Sequence, residues 1–290
     1  MTDLTMLFVP FAEFAFMRRA LVACLALCTS GGALGTLLIL RRMALVGDAM
    51  AHAVLPGAAA GFLIAGLSLW AMTIGGLVAA TAVATIAGLI ARRTAQREDA
   101  SFAAIYLIAL AIGVLLASAS GNRVDLLHLL FGTVLAVDDA GLLLVVSVST
   151  LALLALALTF RSIVVDSFDR RLLLAQGRGG ALTHMIFIVL VVLNLVAGFQ
   201  VLGTLMSVGL LVLPAAAARF WVQRLDGMML LSVLIGAVSS LLGLLMSYHA
   251  SLPSGPAIVL MAGVTYLLSV CFGRRGGMLV QRSTRRHRVA

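Results

Sequence analysis

Residues 41–57 read Arg41-Arg42-Met43-Ala44-Leu45-Val46-Gly47-Asp48-Ala49-Met50-Ala51-His52-Ala53-Val54-Leu55-Pro56-Gly57. One long apolar run ends here and another begins, so Asp48 and His52 stand inside a segment that otherwise dissolves in lipid. An ionisable side chain in a membrane helix costs roughly 2.5–3.5 kcal/mol on insertion scales and marks function by default. Two of them four apart share a helix face, with β-carbons about 5–6 Å apart. A carboxylate and an imidazole at that spacing can close on one divalent cation, since both bind zinc at about 2.0–2.2 Å. The competing reading is that the pair satisfy each other, or that Asp48 caps a helix.

The composition leaves no room for a soluble domain. Of 290 residues, 62% are hydrophobic and 11% charged, and mean hydropathy is +1.16. Such a chain cannot cover itself with polar surface, and its uncharged runs exceed a bilayer's span. The formal net charge of +9 comes from arginine alone, for the sequence holds no lysine. Those arginines fall between apolar runs, as positive-inside topology requires, so nucleic acid is not implied as a partner. Without lysine there is no Walker A phosphate loop and no Schiff-base nucleophile. ATP-driven work therefore needs a separate subunit. Cys24, Cys28 and Cys271 make no metal or disulfide pattern; Cys24 and Cys28 share a face, either as soft-metal ligands or as small apolar packing residues. The first seventeen residues lack a positive n-region, and the first apolar run is long enough to stay in the membrane.

Hydropathy predicts an all-α polytopic membrane protein with nine transmembrane helices, eight being the alternative count. Residues 1–17, with Phe8, Phe11, Phe14 and Phe16, read as an interfacial amphipathic helix. The membrane domain covers 18–273, with helices expected at 20–40, 44–67, 71–91, 102–118, 141–160, 182–198, 202–220, 228–247 and 256–272. Gly31-x-x-x-Gly35 and Gly57-x-x-x-Gly61 favour close helix packing. Residues 121–140 read as an outer loop with a short half-buried helix around 126–137. The arginine-rich break 161–180 and the basic tail 274–290 belong in the cytoplasm, which places the amino terminus outside. Arg18-Arg19 would then lie on the outer side, against the trend.

Two further stretches stand out. Residues 202–219, Leu-Gly-Thr-Leu-Met-Ser-Val-Gly-Leu-Leu-Val-Leu-Pro-Ala-Ala-Ala-Ala-Arg, carry Pro214 inside an apolar run. A proline there is either a plain kink or frees a carbonyl toward protein or a water-lined path. The Ser247–Pro256 stretch is an outer turn ending Pro253-Ser254-Gly255-Pro256, in which His249 contacts a docking protein or incoming metal, or is simply solvated.

The 41–57, 202–219 and 253–260 stretches together resemble the signatures of permease subunits of bacterial ATP-binding-cassette importers for zinc, manganese and iron. The resemblance covers most of residues 18–272 and implies a type II importer permease in the plasma membrane. It implies a homodimer, or a pair with a close homologue, enclosing a translocation path. An ATPase subunit would bind below, and an extracytoplasmic metal-binding protein would dock outside. Asp48 and His52 match the positions that the family uses in that path, as transient contacts too few to trap the ion. Phe168-Asp169 followed by Gly177 echoes the family's ATPase-coupling segment, giving Asp169, Arg171, Leu173 and Gly177 to that contact. Two positions depart from the pattern: the family usually has an acid where Arg171 stands and alanine where Leu173 stands. No permanent cofactor is implied; the divalent metal is the substrate, and Asp plus His suits all three ions. Anionic lipid is a further expected contact of the tail.

Three other functions would use parts of this sequence. An intramembrane metalloenzyme needs a general base beside the metal, and the only glutamates, Glu13 and Glu98, lie in no helix core. An ATP-independent carrier would use Asp48 and His52 as a proton relay. An importer of a metal chelate would line its path with aromatics, of which this chain has 6%.

Overall fold

The computed structural model describes residues 10–66, 68–96, 98–119, 137–168, 180–275 and 277–279. Among these residues the chain forms nine α-helices and no strand: α1 (Ala15–Leu40), α2 (Ala44–Ala65), α3 (Leu69–Arg93), α4 (Glu98–Ala119), α5 (Asp139–Phe168), α6 (Gly180–Leu202), α7 (Thr204–Ala218), α8 (Leu225–Ala250) and α9 (Ser254–Phe272). Seven of them are long and apolar enough to cross a membrane; the apolar part of α4 (Ala100–Leu116) and α7 are shorter.

Two groups of three helices, α2–α3–α4 and α7–α8–α9, each pack among themselves, and α1 and α6 run between them. α1 touches α2, α5, α6, α7 and α8, and α1 and α6 are the most enclosed of the long spans. Small residues allow this. A Cβ on Gly35 would strike the Leu211 carbonyl of α7, and one on Gly32 would strike Val233 of α8. Gly57 and Gly61 of α2 meet the backbone of α3 at Gly75 and Ala71 in the same way. The expected close-packing motifs are thus interhelix contacts. Outward faces carry exposed apolar side chains such as Ile74, Ile108, Leu158, Leu234 and Leu267, the surface that a hydrocarbon solvent requires.

Several boundaries differ from the hydropathy reading, each for a local reason. α5 starts at Asp139 because the Asp138 carboxylate accepts from the Gly141 N–H at 2.8 Å, satisfying one of the helix's unpaired donors. The same helix runs on past Arg161 to Phe168, where Asp166 and Ser167 find partners inside the protein. Arg41 Nη2 lies 3.2 Å from Asp166 Oδ2. Arg41 Nε donates to Ser167 Oγ and Nη2 to the Ile163 carbonyl, both at 2.9 Å. Arg41 Nη1 stands 3.4 Å from His184 Nδ1, and its guanidinium lies 4.3 Å over the Phe187 ring. The first part of the expected 161–180 loop is therefore helix. At the other end of the same helices, Arg19 Nε meets Asp139 Oδ1 at 2.9 Å.

α6 and α7 are joined by one residue. Gly203 has φ +89 and ψ 163, a region that only glycine enters without strain, and Gly198 then lies against Ser207 as α7 folds back. The expected helix from 202 accordingly begins at Thr204. The corner between α1 and α2 closes differently: Met43 N–H donates to the Leu38 carbonyl and Arg42 N–H to the Ile39 carbonyl, at 3.0 and 3.1 Å. This is a Schellman cap with Arg42 at φ +59, the left-handed position usually given to glycine. Residues 1–9 of the expected interfacial helix, its outer-loop counterpart 120–136, the segment 169–179 with Asp169, Arg171, Leu173 and Gly177, and the tail 280–290 lie outside the described residues.

Two substitutions should move stability in opposite directions. Gly203→Ala should cost about 1–3 kcal/mol by forcing a side chain into a glycine-only conformation. Arg42→Gly should stabilise the corner by about 1 kcal/mol through relief of left-handed strain. Thermal unfolding of the purified protein in detergent reads both.

Candidate functional site

Gly47 lets the start of α2 settle against Leu38 of α1 and Leu211 of α7, while Val46, Ala49, Met50, Ala53 and Val54 bury the inner face. The opposite stripe stays open. Leu45 is 73% exposed, Asp48 is the next exposed residue along it, and His52 follows half-buried. His52 Nε2 and Asp48 Oδ1 stand 3.7 Å apart, with side chains 28% and 55% exposed. That separation is longer than a hydrogen bond. The two groups share a face without closing on one another, which leaves lone pairs of both available to a third atom.

The imidazole is oriented from the side. Its ring stacks on Tyr106 of α4, centroids 6.1 Å apart and planes 25° apart. Tyr106 was not singled out in the sequence; its signal was a phenol inside an otherwise apolar run. α4 comes this close because Gly113 abuts Pro56, where a Cβ would stand 2.9 Å from the proline nitrogen. Pro56 has no N–H, so the carbonyl it would have bonded in the helix, that of His52, loses its i+4 donor. A carbonyl without its helical partner thus belongs to the same residue as the imidazole.

Asp48 stands one turn into α2, and an exposed carboxylate within an apolar span is costly against hydrocarbon. Among the described residues no group of three or more His, Cys, Asp and Glu side chains could hold a metal; Asp48 and His52 stand together as a pair.

The other flagged residues fall into place. Cys24 and Cys28 are fully buried, with Cys28 Sγ 3.6 Å from Ser240 Oγ and Gly236 pressed against the sulfur; they are packing residues of the α1–α8 contact. Pro214 sits within α7 against Gly236 of α8. His249 is exposed at the end of α8, its ring edge-on to Tyr248 at 5.3 Å. The chain turns there through Ser251 at φ +50 into Pro253, which precedes α9.

Known proteins share this architecture. The manganese import system permease protein ScaB of Streptococcus parasanguinis is 35% identical over 257 residues, 89% of this chain and 90% of the relative. The manganese transport system membrane protein MntC of Listeria monocytogenes is 31% identical over 267 residues, 92% of this chain and 94% of the relative. The solved structure of PsaBC from Streptococcus pneumoniae in complex with Fab superposes with a TM-score of 0.84 at 32% identity, covering 96% of this chain and 99% of that one. The ABC 3 transport family model matches residues 13–273. With a fold of apolar spans and relatives of this closeness, the chain is a multi-pass protein of the bacterial plasma membrane and belongs to the ABC 3 transport family.

Proposed function

We propose that this chain is the membrane-spanning permease subunit of an ATP-driven importer for a divalent transition-metal ion, with manganese the first candidate. The observation that carries the reading is the open Asp48/His52 stripe on α2, an ionisable face in a membrane protein whose relatives are named for manganese import. The chain is a transport subunit, not an enzyme. It has no lysine for a phosphate loop, so ATP hydrolysis falls to a partner ATPase.

The stripe needs cover. A second copy of this chain, or a close homologue, laid against it would replace lipid with a polar path between the two. Asp48 supplies a hard oxygen and His52 a borderline nitrogen. A path must bind its ion weakly enough to release it, and two ligands per copy meet that condition. The nine helices are read as nine spans, with the amino terminus outside and the basic tail in the cytoplasm. The arginine end of the bundle, where Arg41, Asp166 and His184 meet, then faces the cytoplasm. An extracytoplasmic metal-binding protein would dock at the other end, near His249 and Pro253. The residues given to the ATPase contact are Asp169, Arg171, Leu173 and Gly177.

The permease, reconstituted with its ATPase and metal-binding protein, should take up manganese only with ATP. Uptake without ATP would favour the carrier reading, and uptake of a chelate alone the chelate importer. Asp48→Ala should abolish uptake, and His52→Ala should impair zinc more than manganese, since imidazole suits zinc better. Because the pair is open and not hydrogen-bonded, Asp48→Leu/His52→Leu should leave the unfolding temperature nearly unchanged while stopping transport. A stable double variant with normal uptake would remove both residues from the path.

Topology and coupling give a second pair of tests. A reporter fused after Arg288 should be active only as a cytoplasmic fusion. Cysteines placed near Arg171 should crosslink to the ATPase; crosslinks to external proteins alone would overturn the assignment of that loop.

A further inference from the structure

The Arg41 cluster holds a buried ion pair, and the open Asp48/His52 stripe does not use it. Arg41 and Asp166 are only 6% and 5% exposed. The arginine reaches five groups on two other helices: the Asp166 carboxylate, Ser167 Oγ and the Ile163 carbonyl on α5, and His184 and the Phe187 ring on α6. The second carboxylate oxygen, Asp166 Oδ1, is buried and has no hydrogen-bond partner among the described residues.

A buried ion pair is a poor source of stability, because desolvation offsets the attraction, and apolar replacements of similar volume often fold as well or better. What it supplies is geometry. The guanidinium fork fixes direction in a way that apolar packing does not. Here that geometry joins two segments of separate character. Arg41 is the last residue before the capped corner; Ala44 opens α2 three residues on, and Asp48 follows one turn later. The corner is itself stiff, held by the two cap hydrogen bonds and by buried Leu38 and Met43. Asp166 lies in the last turn of α5, immediately before the 169–179 segment.

We infer that Arg41 and Asp166 are positioning residues for transport: their ion pair keeps the α1–α2 corner, and with it the Asp48/His52 stripe, in register with the end of α5, so that displacement at the ATPase-facing loop is carried to α2. This rests on the permease reading above. Neither residue touches the ion. Energetic coupling between distant sites travels through packed and hydrogen-bonded elements of this kind, and the corner leaves little slack between the guanidinium and the first turn of α2.

The test uses the full complex in vesicles, with manganese, ATPase and metal-binding protein. Three quantities are measured: assembled complex, ATP hydrolysed and manganese taken up. The paired variant Arg41→Leu/Asp166→Leu removes both charges together, so no unpaired ion is left buried. It should assemble and hydrolyse ATP at close to the wild-type rate, while manganese delivered per ATP falls about tenfold, the size of an ordinary coupling between sites. A merely structural pair would lower assembly, uptake and hydrolysis together and leave the ratio unchanged; that result overturns the proposal. If the leucine pair does not assemble, Arg41→Gln/Asp166→Asn also removes both charges while keeping side chains that can hydrogen-bond, and its ratio decides in the same way. Wild-type complex without ATP-driven uptake would overturn the permease reading and this inference with it. Wild-type uptake with an unchanged ratio in the variant overturns the inference alone.

Discussion

Inside hydrocarbon there is no water to satisfy a polar group, and the arrangement of this protein follows from that constraint. Hydroxyls along the spans turn back onto their own helices: Thr36 onto the Gly32 carbonyl, Thr73 onto Leu69, Thr85 onto Thr81, Thr159 onto Ala155 and Ser240 onto Gly236. Buried Asn194 of α6 accepts from Ser30 of α1, tying together the two most enclosed spans. Arg41 and Asp166 neutralise each other. Some buried atoms, Asp166 Oδ1 and the Ser101, Ser149, Ser232 and Ser239 hydroxyls among them, have no hydrogen-bond partner among the described residues, but they are enclosed by protein, whereas the Asp48 carboxylate and the His52 imidazole on α2 are open.

Close packing is the second condition. Helices in lipid gain no hydrophobic attraction from one another and rely on backbone approach and polar contact. Glycine supplies that approach at Gly35 against α7, Gly57 and Gly61 against α3, and Gly243 against Ile258 of α9. The α2 helix is therefore clamped on the faces away from Asp48, and Tyr106 steadies the imidazole from α4. Rigidity on one side and openness on the other suit the ligand pair proposed above, whose spacing must hold while its partner changes.

Much of this was legible beforehand. Apolar runs located the nine helices of the described residues, seven of which are long and apolar enough to cross a membrane, because a membrane span is encoded by length and hydropathy with little help from tertiary contacts. Asp48 and His52 were visible because charge is rare in such runs. Helix ends were harder. α5 reaches Phe168 only because Arg41 waits for Asp166 and Ser167, and hydropathy has no means of seeing a partner more than a hundred residues away. The break before α7 turns on one dihedral angle at Gly203, a few residues after the break at 199–201 that hydropathy predicts. Tyr106 was missed for a related reason: an aromatic in a membrane helix looks like filler until the backbone shows which ring it faces.

The distance along the chain between Arg41 and its partners also bears on how the protein is made. Arg41 and Ser167 are 126 residues apart, so at about 5–20 residues per second of synthesis the arginine spends several seconds or more in the membrane before α5 exists. Deep in the bilayer such a wait would be untenable. At the end of α1 the long side chain can reach the headgroups meanwhile. The capped corner beside it, by contrast, closes within a few residues and can form as soon as it is synthesised. The arginine end of this bundle is thus assembled in two stages, a local turn first and a long-range lock after α5 and α6 arrive.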